Sequence, residues 1–146
     1  MSGIKQWCNM KKFILTTVLL VMALAVTAQT YNNPRQRSTN SKVKITKVER
    51  TPKCTVIYLH YTASNNPADM SLIDPRSCLI DEATGKKYFP VAALNFKWNT
   101  WYKGNCTYKI QFPALPKYTS VVTFQEPLTE KNAFIVTNIA LPVKGQ

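Results

Sequence analysis

The sequence is poor in the residues that usually carry catalysis, and its single histidine is His60. A Ser-His-Asp arrangement could depend only on that residue, and no nucleophile-elbow sequence is present. A lone histidine in an alternating strand pattern is most often a hydrogen-bonded surface group. The sequence therefore predicts no catalytic residue, and we do not expect an enzyme.

Acidic residues are also few, with seven Asp and Glu against nineteen Lys and Arg, which gives a formal net charge of +12. The loop carboxylates Asp69, Asp74, Asp81 and Glu82 match neither a calcium loop nor a catalytic carboxylate pair. The positive charge favours acidic partners. After residue 30 the basic residues are spread singly, apart from Lys86–Lys87, which is typical of a solvated surface and disfavours nucleic acid.

The four cysteines include no Cys-x-x-Cys pair, which excludes a thioredoxin-like redox function. A zinc site could be built only by combining distant residues, namely Cys54, His60, Cys78 and Cys106. The spacings of that set contain no short ligand pair. We therefore expect no metal and no cofactor.

The first 28 residues have the pattern of a signal peptide. Lys11 and Lys12 precede an uncharged apolar run over residues 13–26, and Val26-Thr27-Ala28 predicts cleavage before Gln29. A retained anchor is the alternative, but the run spans about 14 residues and a membrane-spanning helix needs roughly 20. We expect an exported protein, periplasmic, cell-surface or extracellular, that meets the membrane only through this segment. Met1 and Met10 are both compatible starts.

Residues 29–41 contain one large apolar side chain, Tyr31, among polar residues. Such a segment buries too little apolar surface to offset the entropy of ordering it. The sequence therefore predicts a flexible leader over residues 29–41, followed by one domain over residues 42–146.

The domain shows strand periods and no sustained helical period. Residues 55–62 have apolar groups on both faces, which predicts a central strand, and Val48 breaks the alternation of its own segment, which predicts a bulge. Gly85 lies in a predicted hairpin turn, and Pro113 ends a strand that begins near Asn105. About seven strands follow, which predicts an all-β fold with two antiparallel sheets forming a sandwich.

Several short segments together carry a resemblance to a known family. They are residues 44–51, residues 55–58, Leu79-Ile80-Asp81 with Gly85-Lys86-Lys87-Tyr88, residues 112–116, Phe124-Gln125-Glu126 and Ile139-Ala140-Leu141. This set resembles an immunoglobulin-like β-sandwich domain of unassigned function found in secreted proteins of Bacteroidota. The resemblance implies a fold and an exported setting, and it transfers no catalytic residue.

An immunoglobulin-like topology also bears on the cysteines. It implies that the strands beginning at Ser77 and Asn105 start at one end of the sandwich, and that Cys54 lies at the other. The expected disulfide is therefore Cys78–Cys106, with three reduced thiols as the alternative.

The stretch from Phe96 to Lys103 is the one candidate recognition surface. Aromatic side chains alternate there with basic ones, and the candidate binding residues are Lys97, Trp98, Trp101, Tyr102 and Lys103. The structural alternative is that these rings belong to the core and to the start of a strand. We expect a non-enzymatic binding module for an unknown protein or cell-surface component. A glycan- or polyanion-binding module is the second hypothesis.

Overall fold

The computed structural model describes residues 28–143, and within that range the fold is all-β, as the sequence predicts. No helix in this range is long and apolar enough to cross a membrane. The strands are β1 (Gln29–Asn32), β2 (Arg37–Ser38), β3 (Val43–Arg50), β4 (Cys54–Tyr61), β5 (Met70–Ser71), β6 (Cys78–Asp81), β7 (Lys87–Tyr88), β8 (Ala92–Ala93), β9 (Tyr102–Lys103), β10 (Cys106–Pro113), β11 (Val121–Gln125) and β12 (Ile135–Ala140).

The strands form two five-stranded sheets and one small sheet. The first sheet has the order β1-β3-β4-β10-β8, the second has β2-β12-β11-β6-β7, and the small sheet pairs β5 with β9. Every strand pair is antiparallel, which confirms that prediction. More strands are present than the seven expected. The additional strands β2, β5, β8 and β9 have two residues each, too few to show a period, and β1 lies in the segment predicted to be a leader.

Three local predictions are confirmed. The predicted central strand is β4, which lies in the middle of the first sheet. The register of β3 against β4 shifts between Ile45 and Lys47, so the broken alternation does reflect a bulge. Gly85 has a φ of 76°, which lets the β6–β7 hairpin turn with little strain.

The core lies between the two large sheets, and inward side chains of both sheets contribute to it. Ile45, Leu59 and Ile110 come from the first sheet, and Leu79 and Val136 come from the second. The rings of Phe112 and Phe124 meet across the interface edge to face, with their centroids 6.4 Å apart. Packing of this kind is the main source of stability in a sandwich.

The predicted flexible leader is wrong. In this segment β1 pairs with β3 and β2 pairs with β12, so residues 29–41 supply an edge strand to each large sheet. The side-chain amide of Gln36 also bonds both backbone groups of Ile45, at 2.7 Å each. Backbone pairing needs no apolar side chain, so a polar composition did not prevent it. The predicted signal peptide lies outside the described residues, apart from Ala28.

Candidate functional site

The aromatic stretch forms the connection between β8 and β10 and is anchored on the core. The ring of Phe96 meets Trp98 and Tyr108 edge to face, with centroid distances of 5.0 Å in both cases. The ring of Tyr102 lies 6.1 Å from that of Tyr108, and Tyr108 is a core residue. Trp98 and Tyr102 are therefore half-buried, and they extend the core towards this end of the sandwich.

The backbone of this connection is held on two sides. The N–H of Lys97 donates to the Tyr102 hydroxyl at 2.9 Å, and the N–H of Asn99 donates to the Ile73 carbonyl at 2.9 Å. In addition, β9 pairs with β5, which belongs to a different connection. The Asn99–Ile73 bond and the β5–β9 pair join the loop to the connection between β4 and β6.

Trp101 differs from the other rings of the stretch because it is 60% exposed. Lys97 and Lys103 are exposed as well. The structure thus divides the five predicted binding residues: Trp101 and the two lysines reach solvent, and Trp98 and Tyr102 contact the core. What remains as a candidate site is one exposed indole on an anchored loop, with two cations along the same short stretch.

The predicted Cys78–Cys106 disulfide is wrong, because both residues are free cysteines. Cys106 packs against the core, two residues before Tyr108. Cys78 is buried outside the core cluster, whereas its neighbour Leu79 belongs to it, so Cys78 faces the opposite side of its sheet. Burial raises the pKa of the Cys78 thiol.

The alternative of three reduced thiols is also wrong. Cys54 is disulfide-bonded. Within residues 28–143, no three His, Cys, Asp or Glu side chains come together as a group that could hold a metal ion.

His60 lies on the outward face of the first sheet, as the sequence suggested for a surface histidine. Its Nδ1 is 2.9 Å from the hydroxyl of Thr107, which is its direct partner across the β4–β10 pair. The structure therefore gives His60 a hydrogen bond between neighbouring strands.

A basic surface that the sequence did not predict lies on the same face. The ring of Tyr58 has the ammonium groups of Lys47 and Lys109 at 4.8 and 5.3 Å from its centroid. The Tyr58 hydroxyl donates to Glu49 at 2.7 Å, and burial together with this bond raises the pKa of Tyr58 to about 12. The two lysines meet because register places both opposite Tyr58. The only sequence signal is that all three occupy outward strand positions.

An acidic cluster lies beside the turn that follows β11. Arg76 bonds both Asp74 and Glu130, at 2.6 and 2.7 Å. Glu126 is 8% exposed and accepts one backbone bond, from Phe134. Burial, with smaller contributions from the charges of Asp74 and Glu130, raises the pKa of Glu126 to about 7.

The chain was compared with protein-family models, with curated proteins and with solved structures, and no match was found in any of the three.

Proposed function

We propose that this protein is an exported, non-enzymatic binding module that contacts a protein or cell-surface component through Trp101. The observation that carries the proposal is the contrast within one loop: Trp101 is 60% exposed, while the neighbouring rings of Trp98 and Tyr102 are packed against the core. An immunoglobulin-like arrangement and a signal peptide, both inferred from the sequence, are consistent with this function.

A fixed loop makes the exposed ring useful for binding. Tryptophan is enriched among the residues that dominate interface energies, because it buries a large area while losing few rotamers. The bonds to Ile73 and to the Tyr102 hydroxyl hold the backbone beside Trp101 before any partner arrives. Binding then orders little additional chain, which lowers its entropic cost.

A glycan or another polyanion is the second candidate ligand, and the exposure of Lys97 and Lys103 favours it. Lys103 follows Trp101 by two residues, and residues at that spacing in an extended segment point to the same side. An indole face can stack on a sugar ring while a nearby ammonium pairs with an acidic group.

The test measures saturable binding of labelled protein to intact cells and isolated envelopes of the producing organism. Trp101→Ala should lose most of the binding. Phe89→Ala removes an aromatic ring that is 54% exposed at the β7–β8 connection, and it should bind normally. Digestion of the envelopes with protease should abolish binding to a protein partner, whereas periodate oxidation should abolish binding to a glycan. Equal binding by the two variants, or no saturable binding at all, would refute the proposal.

A further inference from the structure

A groove with two exposed arginines runs along the edge of the sandwich. Its two adjoining parts measure about 300 and 420 Å³, and Arg35 and Ala140 line both. The first part also contains Arg37 and Asn138. The second is lined by ring side chains and an amide, namely Tyr31, Pro34, Pro142 and Asn32.

The two arginines are placed on one side of the chain by the residue between them. The Gln36 amide turns inward to bond the backbone of Ile45, which leaves Arg35 and Arg37 exposed to solvent. Their backbones are fixed, since the Arg35 carbonyl accepts from Ala140 at 2.9 Å and Arg37 pairs with Thr137. Among residues 28–143, the ion pairs involve other cations, so both guanidinium groups are available to an anion.

A carboxylate that contacts the groove-lining residue Asn138 is already engaged. Oε2 of Glu82 accepts from the backbone N–H of Asn138 at 2.7 Å and from the Thr123 hydroxyl at 2.8 Å. These bonds hold the β12 backbone at Asn138, which has a φ of 56°. Glu82 therefore supports the wall of the groove, while the arginines supply its positive charge.

We propose that this groove binds an acidic saccharide, with a uronate carboxylate held by Arg35 and Arg37 and a sugar ring lying over Tyr31. Guanidinium groups match carboxylates in a bidentate geometry. The Tyr31 hydroxyl lies 2.8 Å from Oε1 of Gln29 and 3.2 Å from the Pro142 carbonyl oxygen, and these two acceptors hold the ring beside the groove. The Asn32 and Asn138 amides lie on its walls, where they can bond sugar hydroxyls.

The backbone of the groove favours a saccharide over an extended acidic peptide. A peptide that adds a strand needs free backbone donors where it binds. On the β12 side of the groove, the N–H groups of Asn138, Ala140 and Leu141 are already bonded to Glu82, Arg35 and Ser120. On that side recognition therefore comes from side chains, as it does in a sugar site.

The experiment titrates ¹⁵N-labelled protein with a hexamer of galacturonate and follows the amide resonances. We expect saturable shifts over residues 31–37 and 136–142. Arg35→Gln/Arg37→Gln should weaken binding by about tenfold or more, because charged hydrogen bonds are lost. The matched pair Lys86→Gln/Lys87→Gln removes the same charge from two exposed residues of the β6–β7 hairpin, at the opposite edge of the second sheet, and should bind normally. The residues whose resonances shift separate this site from the proposed Trp101 surface.

Four results would overturn the inference. They are the absence of saturable shifts in the groove, unchanged affinity in the arginine variant, equal binding of neutral maltohexaose, and equal binding of hexaglutamate at the same residues. The last result would identify the groove as a site for acidic peptides.

Discussion

Arg50 and Thr119 are joined by a hydrogen bond from Nη1 of the arginine to the carbonyl oxygen of the threonine, 2.6 Å long. Arg50 is 5% exposed, and its Nη2 donates to the Pro116 carbonyl. The Thr119 hydroxyl in turn donates to Asp81 at 2.9 Å. The end of β3 in the first sheet is thereby tied to β6 in the second through the loop before β11.

Replacement of Arg50 should destabilise the fold. Arg50→Met keeps an apolar stem but leaves the carbonyls of Thr119 and Pro116 without their buried donor, which should cost about 2–3 kcal/mol of unfolding free energy. Lys44→Met removes an exposed cation from the same strand and should change stability by less than about 0.5 kcal/mol. Urea unfolding measures both. Equal stability of the two variants would show that the arginine link contributes nothing.

Replacement of Trp98 should destabilise the fold, whereas replacement of Trp101 should not. Trp98→Ala removes a ring that meets Phe96 edge to face, and it should lower the unfolding free energy by about 2–3 kcal/mol. Trp101→Ala removes an exposed ring and should change that energy by less than about 0.5 kcal/mol. Denaturant unfolding of the two variants under one set of conditions checks the difference. A larger loss in Trp101→Ala would contradict the placement of the two rings.

Glu126 should make the protein less stable as the pH rises. Its pKa is raised from 4.5 to about 7 in the folded state, so between these values the folded protein binds more protons than the unfolded chain. The contribution of this group to the unfolding free energy should therefore fall by at most about 3 kcal/mol between about pH 4.5 and about pH 7. Above about pH 7 it should stay constant.

Glu126→Gln should remove this dependence and be more stable than the natural protein above pH 7, because an amide oxygen still accepts from Phe134. Glu49→Gln removes one negative charge elsewhere and should keep the fall in stability. Unfolding midpoints between pH 4 and 8 provide the measurement. If the difference in stability between the natural protein and Glu126→Gln is constant over this range, Glu126 does not have the raised pKa.

The two free cysteines should differ in reactivity. Cys106 is partly exposed, whereas Cys78 is buried and the pKa of its thiol is raised, so less thiolate is accessible. Iodoacetamide under native conditions should label Cys106 well before Cys78, as followed by peptide mass spectrometry. Recovery of a Cys78–Cys106 cross-linked peptide would contradict the structure.

The sequence predicted strands well where one period ran long enough to be read. The alternation around β10 and the two-sided apolar pattern of β4 indicated strands at the right places, because a half-buried or central strand imposes that pattern. It failed for β1 and β2, whose residues are held by backbone pairing and by the Gln36 amide. The composition of a segment indicates the entropic cost of ordering it, but it does not show the hydrogen bonds that distant strands make with it.

For the candidate sites too, the sequence determined some features and the tertiary structure decided the others. The sequence by itself determined the composition of the aromatic stretch, the excess of positive charge and the all-β class, since these depend on residue type and short spacing. Only the tertiary structure decided that Trp101 is exposed while Trp98 is packed, that Lys47 and Lys109 meet at Tyr58, and that Cys78 and Cys106 face different ways. Ring contacts and loop hydrogen bonds set the placement of the two tryptophans. Register between strands far apart in sequence sets the other relations, and a shift of one residue would move each of those side chains to the other face of its sheet.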